Sequence, residues 1–148
     1  MAGADEIHDA RALAALDGLV AVNSALSVDL AGQCNLEVAG GIAISGPGGA
    51  PDFARAAALS RGGCSIVALP ATVEGGASRI VAALGHGVPI SLGRADVDII
   101  ITEEGIADLR GKTAAERAVA LIAIAAPSAR EDLERAWRAS NSHWEERT

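Results

Sequence analysis

The stretch Val97-Asp98-Ile99-Ile100-Ile101-Thr102-Glu103-Glu104-Gly105 carries the strongest strand signal in the chain. A short β-branched apolar run, closed by an acidic pair and a glycine, reads as a strand. Working outward, Leu19-Val-Ala-Val-Asn23 and Cys64-Ser-Ile-Val-Ala-Leu-Pro70 have the same compact apolar character. Between them lies a helix, Pro51 to Ser60, with proline in its first turn and Arg61-Gly62-Gly63 at its end. Strands that alternate with helices and are themselves solidly apolar predict an α/β fold: an open, mainly parallel sheet with helices on both faces.

The flanks fill in around that frame. Residues 1–18 predict a short helix or irregular lead-in ended by Gly18. Leu26–Leu30 and Cys34–Val38 alternate apolar and polar residues about the turn Ala31-Gly32-Gln33, which predicts a hairpin with one wet face. Val88–Ser91 reads as a shorter extended piece. Thr113-Ala-Ala-Glu116 fits a capping box, and Ala118, Leu121, Ile122 and Ala125 follow on one helical face. Pro127 stops that helix and Ser128 can cap another over Ala129–Arg138, leaving 139–148 as a frayed tail. There is no internal repeat or linker, so residues 1–148 are one domain.

Composition excludes several functions. The chain has 148 residues, a formal charge of −7 and only 2% aromatic residues, against 50% hydrophobic ones. An acidic surface poor in aromatics suits neither a phosphate backbone nor stacked bases, so no nucleic-acid partner is expected. The apolar run from Ala118 to Pro127 is about half of the ~20 residues a membrane span needs. With no secretory signal at Met1-Ala-Gly-Ala-Asp-Glu, a cytoplasmic protein is expected. Cys34 and Cys64 have no further Cys or His at ligand spacing, so they predict buried reduced thiols and no structural metal.

Chemistry has few places to sit. Ser45-Gly46-Pro47-Gly48-Gly49 precedes a helix, so its backbone N–H groups can face an anion or serve only as a turn. It misses the dinucleotide fingerprint, since Pro51 stands where a further glycine belongs. Gly111-Lys112-Thr113 imitates a P-loop, but the earlier glycine is Gly105, off by one, and Thr113 serves as a helix cap. No serine lies in a Gly-x-Ser-x-Gly elbow, and His8, His86 and His143 are scattered. Glu103 is better placed: it directly follows a strand, at the carboxyl edge where open α/β sheets hold ligands. The alternative is that Glu103 and Glu104 favour the N-terminus of a short helix, Ile106 to Leu109.

These segments, in this order, resemble the acetyl-CoA hydrolase/transferase family. Val22-Asn-Ser-Ala-Leu-Ser-Val-Asp-Leu-Ala-Gly-Gln-Cys-Asn-Leu-Glu37 is similar to the family's "Asn-Ser-Ala…Val-Asp-Leu…Gly-Gln…Asn" segment. Ser45-Gly-Pro-Gly-Gly-Ala-Pro-Asp-Phe-Ala-Arg55 is similar to its glycine loop, and Gly75-Gly-Ala-Ser-Arg-Ile80 to a later loop. Val97 to Lys112, with Glu116-Arg117 close behind, is the most specific match. The resemblance implies the C-terminal part of a CoA-transferase-like enzyme of two similar halves. Such enzymes move coenzyme A between an acyl-CoA and a small carboxylate, or hydrolyse the thioester. A glutamate attacks the thioester covalently, and glycine-loop N–H groups stabilise the oxyanion. Coenzyme A and acyl-CoA are then substrates, with no tightly bound cofactor.

Residue by residue, the resemblance puts Glu103 in the active site opposite the nucleophile, matching the family's "Val-Thr-Glu". It puts Gly46, Gly48 and Gly49 beside the acyl group and thioester, His8 and Asn23 near the substrate, and Gly75, Gly76, Ser78 and Arg79 at the CoA cleft. The departures are as informative. The nucleophile's "His-Thr-Glu" does not occur, Ala50 replaces the usual Gln after the glycine pair, and Glu104 replaces an aromatic residue. Two expectations stay open: a chain completed by its N-terminal half or a complementary subunit, or a non-catalytic remnant that binds CoA or a partner. Exposed apolar surface and homo-oligomerisation are expected in either case.

Overall fold

The isoleucine run forms its strand because residues with branched Cβ atoms pack well on a pleated surface. In the computed structural model, which describes residues 3 and 8–145 and the side chains as far as Ser140, that strand is central. The elements in chain order are α1 (Ala10–Ala14), β1 (Val20–Asn23), β2 (Ser27–Asp29), β3 (Cys34–Asn35), β4 (Val38–Ala39) and β5 (Ile42–Ala43). There follow α2 (Ala50–Leu59), β6 (Cys64–Ala68), β7 (Ile80–Val81), β8 (Ile99–Thr102), β9 (Gly105–Asp108), α3 (Ala114–Ala123) and α4 (Pro127–Glu145).

The main sheet has the order β1-β6-β8-β9. β1, β6 and β8 are parallel, with Val22, Ile66 and Ile99 in one row and Asn23, Val67 and Ile100 in the next. β9 runs back antiparallel after the two-residue turn Glu103-Glu104, pairing Thr102 with Gly105. The short helix considered for Ile106–Leu109 is therefore absent. Gly105 adopts φ 150°, open to glycine, and a Cβ there would meet the Ile124 side chain at 3.3 Å, so the chain reverses into a strand instead.

The core lies on one side of this sheet. Val67, Ile100 and Ala107 pack with Ala54 of α2, Ala118 and Leu121 of α3, and Leu133 of α4. Alanine on α2 lets it approach closely, and Gly63 completes the fit: a Cβ there would lie 2.2 Å from the Ala57 carbonyl oxygen. The mainly parallel α/β architecture stands, but among the described residues no helix packs on the other face. Val22, Ile66 and Ile99 take no part in the core.

A second sheet, β3-β2-β7, realises the expected hairpin and adds β7 in parallel. Its polar side is not wet: Asp29 is 5% and Asn35 2% exposed. Both are buried with hydrogen-bond partners in place, Leu84 among those of Asp29. Asp29 Oδ1 accepts the N–H groups of Ala31 and Gln33 at 3.0 and 2.9 Å, and Asn35 bonds Ser27, Glu37 and Val38. Val88–Ser91 forms no strand; only a bridge between Cys34 and Leu92 marks that region. The capping box at Thr113 forms as expected. Pro127 begins α4 rather than merely ending α3, and α4 runs past Arg138 to Glu145; of the expected tail, 146–148 lie outside the described residues.

Candidate functional site

Three parallel strands end at one edge, and the segments that leave it carry most of the residues singled out in the sequence. β1 ends on Asn23, whose side-chain nitrogen is buried and has no hydrogen-bond partner among the described residues. A buried donor left unpaired is costly, and at a cleft wall it is open to an acceptor, water or ligand. That cleft, about 360 Å³, is lined by His8, Val20–Asn23, Gly49, Ala50 and Phe53.

The glycine loop forms its rim. Gly48 holds φ +55°, a conformation that side-chain-bearing residues rarely adopt. Gly49 is the N-cap of α2 and offers no side-chain cap, so the helix N-terminus stays open towards anions. Gly49 is required for a different reason: a Cβ would lie 2.6 Å from His8 Cε1. The His8 ring thus sits directly over the loop, edge-on to Phe53 at 5.5 Å, with Nδ1 3.4 Å from Asp52 Oδ2. Gly46 lies on the same loop with open space around it.

Glu103 occupies the turn after β8. It is exposed, and its Oε2 accepts the Ala71 N–H at 2.8 Å, which leaves the other oxygen free of described partners. The turn itself is stiff. Thr102 Oγ1 donates to the Ile124 carbonyl at 2.7 Å and accepts the Glu104 N–H at 3.1 Å. Glu104 in turn pairs with Arg130 at 3.3 Å. A carboxylate on a braced two-residue turn at the carboxyl edge of parallel strands is well placed to orient a reacting group.

The remaining sequence-predicted residues form a separate group. Gly75 and Gly76, at φ +98° and +87°, shape a turn closed by a bond between Val73 N–H and the Ala77 carbonyl. Ser78 Oγ donates to the Ile80 carbonyl at 2.7 Å, and Arg79 Nη1 donates to the Leu26 carbonyl at 3.0 Å. Both line a second cleft of about 290 Å³ that shares no lining residue with the first. Ala71 ties this turn to Glu103, because its carbonyl accepts the Arg79 N–H at 2.9 Å. The structure therefore gathers His8, Asn23 and Gly49 at one cleft, and Glu103 with the Gly75–Arg79 turn beside it.

Several contributors were not visible in sequence. Ala71, Ile124 and Arg130 act on the Glu103 turn across sequence separations that no local pattern reports. Burial pushes the Cys34 thiol up to about 12, and the Cys64 thiol is also raised, chiefly by burial. Cys64 is only partly buried, against expectation.

Comparison with known proteins bears on this arrangement. Residues 1–137 match the sequence model of the "Acetyl-CoA hydrolase/transferase C-terminal domain". The chain is 44% identical over 126 residues to a succinyl-CoA:cyclohexane-1-carboxylate CoA transferase of Geobacter metallireducens, covering 84% of this chain and 29% of that one. It is 48% identical over 118 residues to a 4-hydroxybutyrate coenzyme A transferase of Clostridium kluyveri, covering 79% and 28%. Among solved structures it is similar to RipA from Yersinia pestis, with a TM-score of 0.80, 36% identity, and coverage of 93% of this chain and 30% of that one. The chain thus spans less than a third of the length of these relatives.

Proposed function

Because the chain belongs to the acetyl-CoA hydrolase/transferase family, through its C-terminal domain, we propose that it forms part of the CoA and acyl site of an acyl-CoA:carboxylate CoA-transferase or acyl-CoA hydrolase. In this reading the nucleophilic glutamate arrives on the polypeptide that precedes this domain in the longer relatives, whether as an N-terminal half or a complementary subunit. The observation that carries the reading is Glu103, held by the Ala71 N–H on the braced turn at the carboxyl edge of β8.

The geometry supports the following roles. The uncapped N-terminus of α2 and the Gly46–Gly49 loop face the thioester and stabilise negative charge that develops on its oxygen. His8 and the buried Asn23 amide contact the acyl group or acceptor carboxylate. Glu103 orients the acceptor with its free oxygen or takes a proton from attacking water. The Gly75–Arg79 turn borders the CoA moiety. Arg79 acts largely through position, since its guanidinium is already engaged with main-chain carbonyls.

The non-catalytic reading, a CoA-binding or partner-binding remnant, draws on Ala50 and Glu104, which remove an amide and an aromatic ring from the family's pattern. One assay separates the two. The isolated chain is expected to show no turnover of acetyl-CoA with succinate. A chimera in which it replaces the matched C-terminal segment of the Clostridium kluyveri relative is expected to transfer coenzyme A. A correctly folded but inert chimera would favour the remnant, and turnover by the isolated chain that survives Glu103→Gln would overturn the proposal.

A further inference from the structure

With 19 acidic against 12 basic residues, this chain has a carboxylate to offer every cation. Arg55, Arg61, Arg110, Arg130, Arg135 and Arg138 each pair with one. Arg94, Lys112 and Arg117 have no carboxylate partner among the described residues, and they converge on one hollow of about 220 Å³. Ala31, Ala95 and Ala114 complete its lining, and it shares no residue with either cleft described above. Arg94 precedes β8 and Lys112 follows β9, at the end of the strand pair where Ile99 meets Asp108. The whole length of β8 therefore separates the hollow from Glu103.

Three like charges around one hollow favour an anion among them. The neighbouring carboxylates are engaged elsewhere. Asp96 accepts the Gly93 N–H at 2.9 Å and pairs with Arg55, and Glu116 Oε2 accepts the Thr113 N–H and hydroxyl, each at 2.8 Å. The capping box also closes the N-terminus of α3, so the attraction for an anion comes from the side chains. Arg117 is half-buried and held: its Nη1 donates to the Arg94 carbonyl at 2.8 Å and to the Ala31 carbonyl at 3.4 Å. Gly32 lets the guanidinium lie against the β2–β3 turn, since a Cβ there would come within 3.3 Å of Nη1. Arg117 Nε and Nη2 keep no described partner, and Arg94 and Lys112 are exposed with their donors open.

We propose that this hollow is a binding site for a phosphate group, separate from the CoA and acyl clefts, with the Arg117 guanidinium as its fixed base and Arg94 and Lys112 as its outer cations. Three cations match a dianion better than a singly charged carboxylate, and guanidinium forks with an ammonium suit a tetrahedral oxyanion. An occupant touches α3, the β2–β3 turn and the segment before β8 at once, so binding stabilises the fold by mass action.

Equilibrium dialysis of the purified chain against radiolabelled inorganic phosphate, in mildly alkaline chloride buffer of constant ionic strength, tests the site. Saturable binding of one phosphate per chain is expected, with a rise in melting temperature that follows occupancy. Arg94→Gln and Lys112→Gln should each weaken binding about threefold or more, and together about tenfold or more. Arg135→Gln, which removes the same charge from the exposed side of α4, should leave it unchanged. AMP as competitor identifies the source: tighter binding than phosphate assigns the site to a nucleotide phosphate and weaker binding to free phosphate, and sensitivity to the same two substitutions supports the site in either case. Non-saturable uptake, equal displacement by acetate, or full affinity in the folded double variant overturns the proposal. The readout is binding to this chain, so its failure leaves the role of Glu103 standing, and an inert chimera leaves the phosphate site standing.

Discussion

Replacing Gly49 with alanine tests the arrangement of the first cleft. The new Cβ would lie 2.6 Å from His8 Cε1, closer than real contacts come, and 3.0 Å from Nε2, so the ring must leave its place over the loop. It then gives up its edge-on contact with Phe53, of the kind that contributes about 0.5–1.5 kcal/mol. It also gives up the half-exposed pair with Asp52, a contribution of about 0–1 kcal/mol. Alanine is a poorer N-cap than glycine by about 0.5 kcal/mol. Gly49→Ala should therefore cost about 1–3 kcal/mol. In a His8→Ala background only the cap difference, about 0.5 kcal/mol, should remain. Urea denaturation of the four proteins of this cycle, with unchanged m-values, should give a coupling near 1 kcal/mol. Additivity within about 0.3–0.5 kcal/mol would refute the placement of His8 over Gly49.

Gly63→Ala should destabilise more strongly, by about 3 kcal/mol or beyond, because its Cβ would lie against the Ala57 and Leu19 carbonyl oxygens at 2.2 and 3.0 Å, and backbone cannot swing aside. A midpoint of denaturation close to the parent's would contradict that packing. Thr113→Ala should cost about 1 kcal/mol by removing the α3 cap, measured in the same way. Glu116 gives this cap a pH signature. Bonds from the Thr113 N–H and hydroxyl hold its carboxyl below the ordinary range, so its contribution is complete above that range and is lost as pH falls through the lowered value. Melting curves of the parent and Glu116→Gln should differ at neutral pH and converge in acid.

The parts of the fold that could be read from sequence are those governed by local chemistry. The isoleucine run made β8, Pro51 opened the first turn of α2, and Thr113 with Glu116 capped α3. Where the outcome differed, hydrogen-bond and strand partners that periodicity does not report decided it. The polar side of the β2–β3 hairpin is buried because Asp29 and Asn35 find hydrogen-bond partners there, which alternation alone does not report. The segment after Glu104 became a strand because β8 was there to pair with it.

The same division runs through the candidate site. Glu103 was legible from its position after a strong strand, and the glycine loop from its composition. The grip of Ala71 on Glu103, 32 residues away in sequence, was not, nor was the bracing of the turn by Ile124 and Arg130. Parts of the family's pattern turn out to be architectural: Asp29 and Asn35 hold turns and strands rather than lining the first cleft. His8 and Gly49 matched the pattern as isolated positions, and their contact across the cleft emerged only in three dimensions.

The central claim is that Glu103 works at the reacting centre of a coenzyme A site to which this chain contributes one wall. The direct measurement is kcat/KM for acetyl-CoA and succinate in the chimera with and without Glu103→Gln, with protection of the buried Cys34 thiol from maleimide confirming the fold of both. General acid–base or positioning roles of this kind contribute about 10²–10⁴-fold, so a loss of about 10²-fold or more is expected. Turnover retained within a few-fold of the unsubstituted chimera would contradict the account.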